Sequence, residues 1–129
     1  MPAERFTVRV AKDYLVFCCG HFITYDGDQC ERLHGHNYRV EITVTGDKLD
    51  SIGMLLDFVD IKRELRKLLE RVDHYNLNDI PPFDVEVNTT AENLAFYFWT
   101  EMQKALGDGV NVSQVRVWET DTAVATYRP

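Results

Sequence analysis

The segment from Tyr38 to Thr45 alternates apolar and polar residues without exception, and this pattern constrains the fold more than any other in the chain. The apolar positions are Tyr38, Val40, Ile42 and Val44, and the polar ones are Arg39, Glu41, Thr43 and Thr45. Because successive side chains of a β-strand point to opposite faces, the segment predicts a strand with one buried face. A shorter alternation over residues 6–10 and a β-prone run from Tyr14 to Phe17 predict a hairpin or a bent strand near the N-terminus.

Two later segments have the spacing of helices. Between Asp60 and Val72 the apolar residues recur three or four positions apart and are separated by charged residues, which predicts an amphipathic helix. Thr89 and Glu92 have the spacing of a capping box and predict a second helix that runs to about Leu106. The glycines at positions 107 and 109 would end it.

After this helix the chain returns to strand patterns. Residues 112–120 and 124–127 are β-prone, with a turn at Asp121 and Thr122 between them. The order of two strands, two helices and two strands predicts an α+β fold, in which an antiparallel four-stranded sheet carries two helices on one face. A chain of 129 residues without repeats or linkers predicts a single domain over residues 1–129.

Composition and charge narrow the function classes. The net charge of −7 and the lack of a basic stripe argue against a nucleic acid or an anionic membrane as partner. The longest strongly apolar run, from Leu94 to Trp99, is far shorter than the ~20 residues of a membrane-spanning helix. The first residues do not have the pattern of a secretory signal, and three cysteines cannot form a regular disulfide framework. We therefore expect a cytoplasmic protein with free thiols.

Three of the four histidines lie within sixteen residues, at His21, His34 and His36. If the chain around His34 and His36 is extended, both rings project to the same side, because strand side chains repeat every second residue. His21, near the end of another predicted strand, is the natural third ligand. Three neutral imidazoles around Zn²⁺ leave one position for water or substrate, which is typical of a catalytic site.

Two other interpretations of these histidines stay open. They can be ordinary surface or hydrogen-bonded core histidines, because His-x-His alone is a weak signal. They can also form a structural zinc site that Cys30 closes as a fourth ligand, as in a non-catalytic, zinc-stabilised interaction module. The chain lacks a second Cys-x-x-Cys or Cys-x-x-His knuckle, which argues against the structural site.

The predicted first helix is followed by the adjacent pair Asp73 and His74. A carboxylate next to an imidazole can position that ring as a proton carrier. The second predicted helix carries an unusual number of aromatic residues for one helix of a small domain, so part of its surface is expected to meet another subunit.

Taken together, these fragments resemble the family of 6-pyruvoyltetrahydropterin and 6-carboxytetrahydropterin synthases. The matching stretches run from about Phe6 to Tyr127 and comprise His21, Cys30 followed by His34-Gly35-His36-Asn37-Tyr38, Gly53 to Phe58, Asp73-His74 with Leu77-Asn78, Thr90 with Glu92-Asn93, and Glu119-Thr120. The resemblance implies a tunnelling fold, in which subunits join their sheets into a barrel and two trimers form a homo-hexamer with active sites between subunits.

The resemblance also implies roles for individual residues. His21, His34 and His36 would hold zinc, while Cys30, Asp73 and His74 would form the catalytic proton-transfer group. Glu119 would accept hydrogen bonds from the edge of a pterin ring, and Thr90 would help to hold that ring. The implied substrate is 7,8-dihydroneopterin triphosphate.

Three residues separate Cys30 from His34, and this short gap resembles the 6-carboxytetrahydropterin branch of queuosine and other deazapurine synthesis. A longer gap is usual in members that make 6-pyruvoyltetrahydropterin. Glu31 lies where a further branch uses glutamate in place of cysteine, to cleave dihydroneopterin-type side chains to 6-hydroxymethyl-dihydropterin for folate. A catalytic role for Glu31 therefore stays open beside that of Cys30.

Overall fold

The computed structural model describes residues 4–11 and 15–129, and in it two helices cover one face of an antiparallel sheet. The strands are β1 (Phe6–Val10), β2 (Val16–His21), β3 (Thr24–Tyr25), β4 (Asp28–Gln29), β5 (His34–Gly46), β6 (Asn111–Thr120) and β7 (Ala123–Tyr127). The helices are α1 (Phe58–Glu70) and α2 (Ala91–Leu106), and a short 3-10 turn lies between them at Leu77–Asp79. The predicted α+β class is confirmed.

The long strand β5 organises the sheet. Both β1 and β2 pair with it, β1 along its second half and β2 along its first half, while β6 and then β7 continue the sheet on its other side. The sheet is therefore four strands wide, as predicted, although five strands form it. Of the two predicted arrangements, the hairpin is wrong, because β1 and β2 each pair with β5 and not with each other. The two strands run in the same direction along successive parts of β5, which is compatible with the predicted bent strand. Tyr14 lies outside the described residues. β5 also starts four residues earlier than the alternation indicated.

The core lies between the sheet and the helices. Tyr38, Val40, Ile42 and Val44 are all fully buried, which confirms that the alternating segment has one buried face. Opposite them, the helices contribute Ile61, Leu65, Leu94, Phe98 and Met102, all fully buried as well. This packing holds the first half of β5 in place, and that half carries His34 and His36.

Side-chain caps decide where the helices begin. Asp57 accepts a hydrogen bond from the Val59 amide at 2.9 Å, so α1 begins at Phe58 instead of Asp60. Thr90, not Thr89, caps α2, because its hydroxyl accepts from the Asn93 amide at 3.2 Å. The predicted capping box at Thr89 is therefore wrong by one residue. In the described ranges, neither helix combines the length and the apolar character needed to cross a bilayer.

The aromatic residues of α2 are used largely within the chain. Phe98 is fully buried, and Tyr97 packs on Phe83 with ring centroids 5.3 Å apart. Trp99 and Phe96 both pack on Tyr127 of β7, at 5.2 and 4.9 Å. Of these α2 rings only Phe96 is about half exposed. The predicted aromatic excess therefore mainly fixes α2 against the sheet, and little of it is left for another subunit.

Candidate metal centre and active site

Strand pairing brings the three predicted histidines together. His21 ends β2 and lies directly across from His34, the first residue of β5, while His36 follows on the same face. One nitrogen from each ring lies within 4.8 Å of those from the other two. The ring centroids are 4.6, 4.8 and 5.2 Å apart. These three side chains, here called the histidine cluster, could hold one metal ion.

In two of these rings, Nδ1 is hydrogen-bonded to a backbone carbonyl oxygen. His21 Nδ1 lies 2.9 Å from the carbonyl oxygen of Thr89, and His34 Nδ1 lies 2.8 Å from that of Arg32. A ring that donates from Nδ1 offers the lone pair of Nε2 to a metal. His21 Nε2 is buried and makes no hydrogen bond to the residues that the structure describes, although the Glu119 carboxylate lies 3.5 Å away. Burial lowers the pKa of His21, which favours the neutral ring. The donor set and this unpartnered atom fit a zinc ion.

Glu119 lies beside the histidine cluster, and the sequence did not predict this proximity. Its Oε1 atom is 3.3 Å from His36 Nε2 and 3.5 Å from His21 Nε2. The same residue lines a groove of about 330 Å³ between the start of α2 and strand β7, together with Ala91 and Thr126. Glu119 therefore lies both beside the histidine cluster and in a groove lined by Ala91, the residue after Thr90. A molecule in this groove can reach both Glu119 and the histidine cluster.

Cys30 and Glu31 both bind the backbone of Ile23, Cys30 at its carbonyl and Glu31 at its amide. The backbone and thiol of Cys30 both donate to the carbonyl oxygen of Ile23, at 3.0 and 3.2 Å. Glu31 accepts from the Ile23 amide at 2.9 Å, and its Oε1 is 4.0 Å from His34 Nε2. Cys30 is exposed, and within residues 4–11 and 15–129 the cluster of possible metal ligands contains no sulfur atom. The structure therefore does not support a zinc site closed by Cys30.

Two asparagines hold the segment that follows His21, and sequence reasoning missed both roles. The Asn78 side chain accepts from the Phe22 amide at 2.9 Å and donates to its carbonyl at 3.0 Å. Asn88 does the same for Thr24, at 3.0 and 2.8 Å. Because Ile23 between them is bound by Cys30 and Glu31, the path of the whole segment is fixed. No spacing rule identifies such contacts, since the partners are more than fifty residues apart.

The predicted pair Asp73 and His74 lies along the free edge of β2. Asp73 accepts from the Cys18 amide at 2.8 Å, and the His74 amide donates to the Cys18 carbonyl. The His74 ring is largely exposed and its Nε2 is 3.5 Å from Asp73 Oδ2, so the expected carboxylate–imidazole contact is present. His74 adopts a φ of +64°, which turns the chain back towards the strand.

The pair and Cys30 attach to different parts of the chain. Asp73 and His74 bind Cys18, whereas Cys30 binds Ile23, five residues further along. In the part of the chain that the structure describes, no hydrogen bond joins the two groups. The structure thus brings the histidine cluster, Glu119 and Glu31 together, and attaches Asp73 and His74 to the edge of β2 at Cys18.

His74 lines a cleft of about 410 Å³, together with Cys18, His36 and Asn37. The Cys18 thiol lies 2.9 Å from Asn37 Oδ1. Burial raises the pKa of Cys19 to about 12, so this thiol stays protonated at neutral pH.

Comparison with known proteins identifies the family. The family model described as 6-pyruvoyl tetrahydropterin synthase matches residues 10–129. Human 6-pyruvoyl tetrahydrobiopterin synthase is 38% identical over 96 residues, which make up 74% of this chain and 66% of that protein. The Poecilia reticulata protein of the same name is 40% identical over 97 residues, or 74% and 65% of the two chains. The chain thus matches just under two thirds of the length of these relatives.

A different relative matches over nearly its full length. The 6-carboxy-5,6,7,8-tetrahydropterin synthase of Aquifex aeolicus is 32% identical over 145 aligned positions, covering 93% of this chain and 90% of that protein. Among solved structures, the 6-pyruvoyl tetrahydropterin synthase of Caenorhabditis elegans has a TM-score of 0.80 at 24% identity and covers 99% of both chains.

A Plasmodium vivax 6-pyruvoyltetrahydropterin synthase, in which a catalytic glutamate is replaced by alanine, has a TM-score of 0.79 at 22% identity. It covers 96% of this chain and 97% of that one, so these two structures share the fold. With the family model spanning nearly every residue and the Aquifex protein matching along both chains, the protein described here belongs to the 6-pyruvoyl tetrahydropterin synthase family.

Proposed function

We propose that the protein is a zinc-dependent lyase, a 6-carboxytetrahydropterin synthase that converts 7,8-dihydroneopterin triphosphate to 6-carboxy-5,6,7,8-tetrahydropterin. The observation that carries this proposal is the convergence of three imidazoles beside a carboxylate that also lines a groove. A structural zinc site would need neither that carboxylate nor that groove.

His21, His34 and His36 would hold the zinc ion. When bound, zinc supplies a Lewis acid that favours ionisation of substrate hydroxyl groups. The chain contributes the orientation of the three rings, two of which are fixed by bonds from Nδ1 to backbone carbonyls.

Glu119 and Thr90 would bind the pterin ring in the groove between α2 and β7. A carboxylate accepts two parallel hydrogen bonds and matches the amino and ring N–H donors of a pterin edge. Glu119 is about one third exposed and reaches both the groove and the histidine cluster. Its position would therefore place the three-carbon side chain of the substrate next to the zinc ligands.

Cys30 would act as the base that takes protons from the substrate side chain, and Asp73 with His74 would carry protons. Since these groups attach to different parts of one chain, we infer that a second subunit completes the site. Among the described residues, β1 and β7 are edge strands with one unpaired side each, which suits sheets that join between subunits. A homo-hexamer of two trimers is the assembly we propose.

Two observations favour the 6-carboxy product over 6-pyruvoyltetrahydropterin. The gap of three residues between Cys30 and His34 is the shorter of the two family spacings, and the Aquifex 6-carboxy enzyme matches over nearly the whole chain. The reaction balances with one water: the products are the carboxylated tetrahydropterin, triphosphate and a two-carbon aldehyde. The carbon next to the ring is oxidised while the ring and the terminal side-chain carbon are reduced, so no external oxidant is needed. We therefore propose a place in queuosine or other deazapurine synthesis, which the family resemblance implies for this product, and a cytoplasmic location.

The direct test incubates zinc-loaded protein with dihydroneopterin triphosphate and identifies the products by mass spectrometry. We expect 6-carboxytetrahydropterin, its loss in Cys30→Ala, and its retention in Cys18→Ala, which removes another thiol at a position without an assigned role. Absence of both carboxy- and pyruvoyl-tetrahydropterin would contradict the proposal. Mixed oligomers of Cys30→Ala and His74→Ala subunits should regain activity, whereas inactive mixtures would argue against a site shared between subunits.

Glu31 supports a second candidate function, the cleavage of a dihydroneopterin-type side chain to 6-hydroxymethyl-dihydropterin. Its carboxylate lies 4.0 Å from His34 Nε2, and the Plasmodium vivax relative is described as having a catalytic glutamate. However, Glu31 also accepts from the Ile23 amide, which gives it a structural task. In the same assay, Glu31→Ala should remove 6-hydroxymethyl-dihydropterin selectively if the carboxylate is catalytic. An unchanged product ratio would leave Glu31 with the structural task alone.

A further inference from the structure

Thr89 contacts His21 in a way that neither the spacing of the sequence nor the family resemblance predicts. It is fully buried and directly precedes Thr90, the residue that caps α2. Its carbonyl oxygen lies 2.9 Å from His21 Nδ1, and its hydroxyl oxygen lies 3.2 Å from the same nitrogen. One ring nitrogen thus faces two oxygen atoms of a single residue.

The hydrogen atoms at this contact can be assigned from the partners alone. The Thr89 hydroxyl donates its one hydrogen to the carbonyl oxygen of Phe22 at 2.8 Å, because a carbonyl can only accept. The hydroxyl oxygen therefore has only lone pairs left for His21, and so does the Thr89 carbonyl. Since both partners are acceptors, Nδ1 of His21 must carry the hydrogen. In a neutral ring, Nε2 then presents a lone pair.

That lone pair belongs to a buried atom of the histidine cluster that makes no hydrogen bond within residues 4–11 and 15–129, with Glu119 Oε1 3.5 Å away. We propose that Thr89 is a positioning residue for the metal centre, which fixes His21 in the tautomer and orientation that present Nε2 to the ion. The opposite tautomer would place a hydrogen on the ligand nitrogen and prevent its coordination. This inference rests on the proposed function only in taking zinc as the ion.

The hydrogen-bonding role of the Thr89 hydroxyl can be separated from the packing role of the Thr89 side chain. Thr89→Val keeps the shape of the side chain and removes the hydroxyl. The carbonyl of Phe22 keeps a donor in this variant, because Asn78 Nδ2 also donates to it at 3.0 Å. The carbonyl of Thr89 stays in place as well. What the variant loses is one of the two acceptors that hold His21 Nδ1.

The experiment measures the zinc affinity of purified protein by competition with a chromophoric chelator. For Thr89→Val we expect the dissociation constant to rise by about 10- to 100-fold, the usual effect of removing such an outer partner of a metal ligand. Thr89→Ser, which keeps the hydroxyl, should retain the wild-type affinity. Asp57→Ala is the control, since it removes a side-chain hydrogen bond at the exposed start of α1, away from the histidine cluster, and its zinc affinity should not change.

Wild-type affinity in Thr89→Val would overturn the inference. A second measurement needs no variant: nitrogen NMR of histidine-labelled, metal-free protein should show His21 protonated at Nδ1, and protonation at Nε2 would refute the assignment. These outcomes are distinct from a failure of the proposed function. A protein that binds zinc as described but makes neither pterin product would refute the proposed activity and leave the role of Thr89 intact.

Discussion

Replacing Asn88 with alanine tests whether the segment after His21 is held by its side-chain bonds. The amide group of Asn88 accepts from the Thr24 amide at 3.0 Å and from the Thr89 amide at 3.1 Å, and it donates to the Thr24 carbonyl at 2.8 Å. The Thr24 hydroxyl also donates to this side chain, at a longer 3.4 Å. The three shorter hydrogen bonds, at about 1 kcal/mol each, give about 3 kcal/mol. Because Thr24 is only half-buried, water can replace some of these hydrogen bonds in the variant. We therefore expect the free energy of unfolding to fall by about 2 kcal/mol.

The assay is urea unfolding of the metal-free protein at one fixed protein concentration, followed by zinc competition on the folded variant. Thr89 loses a bond in this variant too, so zinc affinity should fall together with stability. Asn111→Ala is the control, since this exposed asparagine makes one side-chain hydrogen bond, to Glu4 at 2.7 Å, and its removal should cost less than about 0.5 kcal/mol. If Asn88→Ala were no less stable than Asn111→Ala, the reasoning that this segment depends on its asparagine clamp would be wrong.

Three further predictions follow from the site and the core. Removing zinc with a chelator should lower the thermal unfolding midpoint without unfolding the chain. Free zinc at 100 times its dissociation constant stabilises the folded state by only about 2.7 kcal/mol. Complete loss of near-ultraviolet circular dichroism would instead favour an interaction module. Glu119→Gln should weaken pterin binding by about 10- to 100-fold in fluorescence titrations, since a charged acceptor is replaced by a neutral one, and unchanged binding would exclude Glu119 as the ring anchor. Phe17→Ala should destabilise the protein by about 3–5 kcal/mol in chemical unfolding, because the ring is buried and stacks on Tyr38 at 4.7 Å; a loss below about 1 kcal/mol would contradict this packing.

The order and type of the helices and strands could be predicted, because each element has its own local periodicity. The alternation in β5 places Val40, Ile42 and Val44 in the core whatever the neighbouring strands are. Pairing between strands does not follow from periodicity, and for this reason the sequence left a hairpin and a bent strand open for β1 and β2, although both pair with β5. The cap of α2 was misplaced by one residue, since Thr89 and Thr90 are equally good caps in sequence.

In the candidate site, too, contacts set by local spacing could be predicted, and contacts between distant segments could not. His34 and His36 could be assigned to one face from their spacing, because two residues define a strand repeat. The approach of Glu119 to these rings could not, since it depends on the register of β6 against β5 over more than eighty residues of intervening chain. For Asp73 and His74, the sequence identified their mutual contact, but it did not indicate that they bind the edge of β2 at Cys18, away from Cys30.

The sequence by itself therefore determined the types of element, the buried face of the central strand and the residue types able to bind a metal, because these depend on neighbours within a few positions. The tertiary structure alone decided which atoms meet: Thr89 on His21, Asn88 on Thr24, and Glu119 on the histidine cluster. Those contacts join parts of the chain that are distant in sequence, and they form only once the core has fixed the strands and helices relative to one another. The tautomer of His21 is a property of this second kind, since two acceptors from another loop set it.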